Sequence, residues 1–184
     1  MQRWKRWWQD ESGIAVTEFA IASGFFMLLL LGGFELSRMV LVNQKVEKVA
    51  YITADIVSQA TSTPPRSQMD EYLLAAQQVM QPFVFDGLGE VLVTSVERDP
   101  GDVQRIRWVY PPDHVAISHI GLGDGAIAQL PEGLVINERD NVIVAEVFYR
   151  YNPMFSAQGL YEETDMYKVA VFKPRLGALT TAPQ

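Results

Sequence analysis

The first pattern along the chain is a long apolar run near its start. From Phe19 to Phe34 no residue is charged. The run from Ile14 to Leu36 supplies about 23 residues, enough to cross a hydrocarbon core of about 30 Å at about 1.5 Å per residue. The pattern therefore predicts a membrane-spanning helix over residues 14–36.

Beyond this run, apolar residues continue at helical spacing. The apolar stripe consists of Val42, Val46, Val49, Ile52 and Ile56. Because the spacing is three or four residues, it predicts a helix that continues unbroken to about Gln59. Its second half, residues 37–60, needs a protein surface to cover the stripe. A juxtamembrane coiled coil is the alternative interpretation of the same stripe.

The rest of the chain reads as one further helix followed by short strands. Pro64 and Pro65 end the long helix, and a second helix is predicted over Ser67–Gln81, with Ser67 as its cap. The predicted strands are Val91–Glu97, Val103–Tyr110, Val115–Ile120, Asn141–Tyr151 and Met166–Lys173. This order predicts an α+β fold: a long transmembrane-plus-stalk helix packed on a small antiparallel sheet, with one additional helix.

Two details of the predicted sheet follow from local chemistry. Asp99-Pro100-Gly101-Asp102 favours a type II turn, with glycine at the third position. Alternation after this turn places Ile106, Trp108 and Tyr110 on one face of their strand. In the strand Asn141–Tyr151, Glu146 and Arg150 fall on the face opposite the apolar residues. We expect one face of the sheet to be buried, covered by the stripe of the long helix.

The acids at the two ends of the apolar run have different environments. Glu18 follows Gly13 by five residues and has no basic neighbour on its own helix. An acid in the bilayer centre costs on the order of 2.5–3.5 kcal/mol or more, so Glu18 is the strongest candidate for a functional residue. Glu35 should reach the far interface, helped by Arg38. The alternative for Glu18 is an acid at the interface of a plain anchor.

The flanks of the run predict its direction. Arg3, Lys5 and Arg6 precede it, so the amino end should remain cytoplasmic and the rest should be exported. A cleaved secretory signal is disfavoured, because the run is long and no small-x-small site follows it. An ordinary uncleaved signal anchor remains the alternative.

These features together resemble a known family. A short basic leader ends at Gly13, Glu18 follows, then the leucines of Leu28–Leu31 and the string Glu35-Leu36-Ser37-Arg38. The pattern resembles the TadE-like minor pilins, or pseudopilins, of tight-adherence (Tad/Flp) type IV pilus systems. Thr17, between Val16 and Glu18, is a small departure. The resemblance covers about Gly13–Gln59 and is weaker in Val142–Asn152 and in Lys173-Pro174-Arg175.

The resemblance implies a class III signal that prepilin peptidase cuts between Gly13 and Ile14. It further implies that Glu18 of one subunit meets the new α-amine of Ile14 of another, which sets the register of assembly. Ala20 and Gly24 form a small-xxx-small pair that allows close helix packing. The expected division is leader 1–13, transmembrane helix 14–36, periplasmic continuation 37–60, periplasmic globular domain 61–176 and flexible tail 177–184.

The implied function is that of a minor pilin, needed for pilus assembly, priming or tip formation in adhesion. The expected location is the bacterial inner membrane, single-pass, with a periplasmic carboxyl-terminal domain and incorporation into the extracellular pilus. Expected partners are other minor pilins, the major pilin, prepilin peptidase, the inner-membrane assembly platform and membrane lipid. The alternative is an uncleaved single-span inner-membrane protein with a periplasmic ligand-binding or envelope-maintenance domain.

Composition excludes several other functions. The formal net charge is −7, which argues against nucleic acid as a partner. The chain has no cysteine, and His114 and His119, five residues apart on a predicted strand, should point to opposite faces, so we expect no metal site. Residues 121–125 and 161–165 are interpreted as turns rather than anion or calcium sites. No catalytic constellation is evident, so we expect no cofactor and no enzyme activity.

Overall fold

The longest element is a single helix, α1, over Ser12–Ser58. The structure, a computed structural model, describes residues 12–121, 123–131, 134, 136–138, 140–155 and 162–184. α1 contains 47 residues, which corresponds to about 70 Å at about 1.5 Å per residue. The prediction of one unbroken helix through the apolar run and the stripe is confirmed. The predicted leader, apart from its last two residues, lies outside the described residues.

The two halves of α1 differ in burial. Every side chain from Gly13 to Leu30 is exposed, and α1 is the one helix in the described ranges that is long and apolar enough to cross a membrane. In the second half, Val42, Val46 and Val49 are fully buried, as predicted. The stripe then shifts to Thr53 and Val57, because an α-helix repeats every 3.6 residues; Ile52 and Ile56 are only half-buried.

The second helix, α2, spans Arg66–Gln78 and packs beside α1. Its N-cap is Pro65, whose carbonyl accepts the N–H of Met69 at 3.0 Å. The prediction that Ser67 caps the helix is therefore wrong: Ser67 lies inside the first turn. The extended backbone of Pro65 already precedes the helix, and proline suits a helix start. The buried residues of this helix are Met69, Leu73 and Ala76.

Four antiparallel strands complete the α+β fold that the pattern predicts. They are β1 (Gly89–Arg98), β2 (Gln104–Tyr110), β3 (Asn141–Tyr151) and β4 (Thr164–Phe172), in the order β2-β1-β3-β4. α1 lies over β3 and β4. The strand predicted at Val115–Ile120 is absent: these residues form a loop, and two carboxylates accept its backbone N–H groups.

The hairpin between β1 and β2 departs from prediction at two places. Asp102 has the positive φ, 67°, and donates its N–H to the Asp99 carbonyl at 3.0 Å. Gly101 does not have a positive φ, so the predicted type II turn is wrong. A register shift opposite Ser95 and Val96 then leaves one extra residue in β2, which is a β-bulge.

The β-bulge changes which side chains share a face. Ile106 pairs with Val96 and joins the core on the side away from the helices. Trp108 pairs with Ser95 and joins the core between the helices and the sheet, together with Tyr110. The prediction of a common face for these three residues is therefore wrong for Ile106, because the extra residue interrupts the alternation on which it rested.

The sheet is covered on both faces, whereas one buried face was expected. The core on the helix side includes Val93, Trp108 and Ile143. The second core contains Ile106, Ile120, Ala128, Ile136, Val142 and Val144, and includes residues from the described part of the long connection between β2 and β3. Glu146 lies on the predicted face but is 0% exposed, because this connection covers it.

The last residues, predicted to form a flexible tail over 177–184, are packed against the domain. Leu179 is 0% exposed. Its carbonyl accepts the Trp108 indole N–H at 2.8 Å and the Ser95 hydroxyl at 2.7 Å, and its N–H donates to Asn141 at 3.0 Å. The Arg66 N–H donates to the carbonyl of Gln184 at 3.0 Å. The prediction of a flexible tail is therefore wrong, because this segment is docked on the domain.

Candidate functional site

The predicted processing and assembly residues lie together on the exposed start of α1. Ile14 is 54% exposed, and Gly13 and Glu18 are also exposed. The Glu18 carboxylate makes no hydrogen bond or ion pair with any residue that the structure describes. The neighbouring Thr17 hydroxyl donates to the Ile14 carbonyl at 2.8 Å, so it is satisfied within the helix. The acid is therefore accessible to a group from outside the chain.

The small-xxx-small pair lies on the same open surface. Ala20 is exposed, and a Cβ added at Gly24 meets no atom within 4 Å. This face of α1 has no partner within the described chain, so another helix can approach closely there. The role of Ala20 and Gly24 in helix packing stays a prediction.

Glu35 occupies a different environment, because the folded domain surrounds it. It is 1% exposed. Its carboxylate accepts the Tyr151 hydroxyl and the backbone N–H groups of Met154, at 3.2 Å, and Phe155, at 3.4 Å. The prediction that Glu35 reaches water at the interface is wrong: the end of β3 and the residues after it supply the donors that water would otherwise provide.

Arg38 completes this junction between helix and domain. Its guanidinium lies 3.5 Å from Glu35 and donates to the Asn152 carbonyl at 3.0 Å. It also lies over the rings of Phe83, at 5.6 Å, and Tyr151, at 5.2 Å. We call Glu35, Arg38, Tyr151 and the backbone of residues 152–155 the junction cluster. Burial, and then the hydrogen bond to Glu35, raises the pKa of Tyr151 to about 12.

The junction cluster fixes how the exposed half of α1 leaves the domain. Residues from one turn of α1 and from the end of β3 share hydrogen bonds across more than 110 positions of sequence. Charge-assisted hydrogen bonds of this kind are stronger than neutral ones. The exposed apolar helix is thus held by the domain at its last turn, rather than joined to it by a loose segment.

The two histidines and the two turns considered in the sequence analysis come next, and their described contacts are with other parts of the chain. His119 packs on the rings of Tyr167, at 4.2 Å, and Phe148, at 5.6 Å, whereas His114 contacts the Ala116 carbonyl. No group of three or more metal-ligating side chains exists among the described residues. In residues 121–125, where Leu122 lies outside the described residues, the N–H of Gly125 pairs with the edge of β2. Tyr161 of the acidic loop also lies outside them.

Sequence reasoning missed the two carboxylates that hold the loop over residues 115–120. Glu146 accepts the Ser118 hydroxyl at 2.5 Å, the His119 N–H at 2.8 Å and the Tyr167 hydroxyl at 3.0 Å. Glu90 accepts the N–H groups of Val115 and Ala116. For Glu146 the sequence did contain a signal, because this residue is a single acid within the apolar strand β3. An open groove of about 980 Å³ lies beside this loop, lined in part by Phe148 and Tyr167.

Comparison with known proteins bears on α1. The family model described as TadE-like protein matches residues 13–55. No curated protein and no solved structure matches the chain. The match begins at the predicted leader boundary and ends within the last turn of α1, so it includes Glu18, Glu35 and Arg38. Residues 13–55 are therefore similar to the TadE-like family, as the resemblance predicted.

Proposed function

We propose that the protein is a minor pilin, or pseudopilin, of a Tad-type pilus: a structural subunit and not an enzyme. The observation that carries the proposal is the exposed half of α1, which presents, five residues after Gly13, an acid with no partner among the described residues. A TadE-like match over the same residues supports it. The subunit would act in pilus assembly, priming or tip formation during adhesion.

Cleavage between Gly13 and Ile14 would create the group that Glu18 lacks. The new α-amine of Ile14 is cationic near neutral pH. In a bundle of subunits, the amine of one chain can approach Glu18 of its neighbour. Two unit charges 4 Å apart attract by about 4 kcal/mol at an effective dielectric constant of 20, and desolvation offsets part of this. Because Glu18 would meet this amine in only one alignment of the two helices, the pair would set the register of assembly.

The proposed location and partners follow from the same arrangement. The exposed half of α1 would span the inner membrane with its amino end cytoplasmic, and the sheet domain would lie in the periplasm. Prepilin peptidase, other minor pilins, the major pilin and the assembly platform would meet the exposed half of α1. The subunit would then enter the extracellular pilus together with its globular domain.

The intact mass of the membrane-extracted chain, from cells with and without prepilin peptidase, tests this function. We expect a chain lacking residues 1–13 in the first case and an unprocessed chain in the second. An intact amino terminus in cells that make normal pili would contradict the proposal. It would favour an uncleaved single-span protein, for which the groove beside Phe148 and Tyr167 would be the first place to seek a ligand.

Substitution of Glu18 tests the register. Glu18→Gln keeps the size of the side chain and removes its charge, so we expect normal cleavage but loss of the subunit from sheared pili. Thr17→Ala is the matched control, because it changes a neighbouring exposed residue whose hydroxyl bonds only within the helix. Equal incorporation of the two variants would contradict pairing through Glu18.

A further inference from the structure

A rim of apolar side chains surrounds the point where the exposed half of α1 leaves the domain. Met154 is 65% exposed, Val84 65% and Phe155 36%. These residues lie on two separate loops, one before β1 and one after β3, and both loops contact the junction cluster through their neighbours. We call these three side chains the apolar rim.

The hydrogen bonds of Glu35 fix the level of the apolar rim along α1. The N–H groups of Met154 and Phe155 bind the Glu35 carboxylate. The Phe155 ring packs edge-on against Phe34, with 6.1 Å between the centroids. Phe34 is the last residue of the uncharged run and lies about 30 Å along the helix axis from Ile14. Met154 and Phe155 therefore lie at the height where a bilayer crossed by that run would end, and Val84 follows Phe83, whose ring lies 5.6 Å from the guanidinium of Arg38.

The chemistry at this level suits the boundary between acyl chains and headgroups. Aromatic and aliphatic side chains there face outward, and Arg38, whose side chain is 28% exposed, lies beside them. Arginine suits such a boundary because its side chain has an apolar stem and a charged end, and exposed phenylalanine and aliphatic side chains bind at the headgroup boundary through their apolar area. The contact of Phe155 with Phe34 joins the rim to the exposed apolar surface of α1, so lipid that covers Phe34 can also reach Phe155.

We infer that the apolar rim is a second membrane contact of this protein, in which Val84, Met154 and Phe155 insert into the headgroup boundary of the bilayer that α1 crosses. The occupant is lipid. The junction cluster holds both loops, so the base of the domain rests on the membrane surface instead of standing away from it. The inference rests on the membrane-spanning part of the proposed function.

Single cysteines carrying an environment-sensitive fluorophore test this inference in the full chain, since the natural sequence has no cysteine. The test site is Met154→Cys. The matched control is Leu176→Cys, because Leu176 is also 65% exposed but lies beside Arg175, which contacts the far end of α1 at Ser58. The positive control is Leu30→Cys, in the exposed apolar run. Each variant is placed in lipid nanodiscs with and without lipids brominated near the top of the acyl chain.

The expected result is a blue-shifted emission and a loss of fluorescence with brominated lipid at residues 154 and 30, and neither at residue 176. Quenching at residue 30 but not at residue 154 would overturn the inference and leave the membrane span intact. No quenching at residue 30 would overturn the span and the inference with it. A blue shift at residue 154 that brominated lipid does not quench, and that grows with copies per disc, would assign the rim to a second protein chain.

Discussion

Glu18 and Glu35 lie on the same helix and in the same apolar run, yet their surroundings are opposite. Glu35 is 1% exposed and accepts hydrogen bonds from a hydroxyl and two backbone N–H groups. Glu18 is exposed and has no partner in the part of the chain that the structure describes. The chain thus satisfies one acid by its own fold and leaves the other available, which is the division expected between a structural and an assembly residue.

Replacement of Glu35 should destabilise the domain. In Glu35→Ala the Tyr151 hydroxyl and two N–H groups lose their acceptor, and buried donors left without a partner cost about 1–3 kcal/mol. The control is Glu47→Ala, whose carboxylate is 67% exposed and 3.9 Å from Lys168; exposed pairs contribute about 0–1 kcal/mol. Urea unfolding of the full chain in detergent, followed by near-ultraviolet circular dichroism, measures both. Equal midpoints for the two variants would contradict the role of the junction cluster.

Sequence reasoning identified Glu18 and Glu35 as acids that need an explanation, but not how the fold provides one for Glu35, and it missed Glu146. The local pattern alone is enough to show that a charge beside an apolar run has an energetic cost. The donors to Glu35 lie 116 or more positions away. Two of the donors to Glu146 lie on a loop predicted as a strand, and the third, Tyr167, lies on β4. Pairing across such distances depends on tertiary structure, which no local period encodes.

At the scale of elements, the carboxyl-terminal segment contributes more packing and hydrogen bonds to the domain than its composition indicates. Leu179 fills the core beside Trp108, and its backbone groups bond to Ser95, Trp108 and Asn141. Arg175 donates its N–H to the Ser58 carbonyl at 3.1 Å and its guanidinium contacts Asp55 at 3.1 Å. A cation at the carboxyl end of a helix also favours the helix dipole. The segment therefore ties the end of α1 to the sheet.

Truncation of Leu179 tests this contribution. We expect Leu179→Ala to lower the free energy of unfolding by about 2–5 kcal/mol, as for other buried leucines. Leu176→Ala, at a position that is 65% exposed, should change it by less than about 0.5 kcal/mol. Thermal and urea unfolding of both variants provide the measurement. A Leu179→Ala variant as stable as Leu176→Ala would mean that the tail is free in solution.

The elements with strong periodic patterns were predicted well, and those that depend on one irregular residue were not. α1 and β3 have nearly the bounds that their patterns predict. The β-bulge opposite Ser95 and Val96 moves Ile106 to the other face, although its local alternation is regular. A single extra residue in a strand does not show in its composition. Alternation alone therefore cannot predict which face of the sheet the residues beyond the bulge occupy.

At the scale of the whole molecule, tyrosines on both faces of the sheet are wholly or partly buried and have a raised pKa. Burial and a hydrogen bond to Asp70 raise the pKa of Tyr110 to about 12, and the pKa of Tyr151 also rises to about 12. On the other face, burial and Glu146 raise the pKa of Tyr167. Each of these phenols is held neutral in the folded state more strongly than in the unfolded state, whose tyrosines titrate near 10.

Stability should therefore fall in alkaline solution. Because the folded pKa of Tyr110 and Tyr151 exceeds the unfolded one, their contribution is complete below about pH 10 and is lost as the pH rises to about 12, on the order of 1–2 kcal/mol for each. Urea midpoints at pH 8, 10, 11 and 12 measure the loss. Tyr110→Phe should reduce the dependence, since phenylalanine does not titrate. An unchanged pH profile in that variant would contradict the assignment.

The unbroken path of α1 has a further consequence for orientation. The helix is unbroken between its exposed apolar segment and the segment that packs on the domain, and the junction cluster holds the two at the boundary. Each residue of an α-helix turns the chain by about 100° and advances it by about 1.5 Å. Insertion of one residue after Phe34 would thus rotate the whole globular part by about a quarter turn relative to Glu18. In the proposed pilus, the length of the apolar run would therefore determine which side of the domain faces outward from the filament.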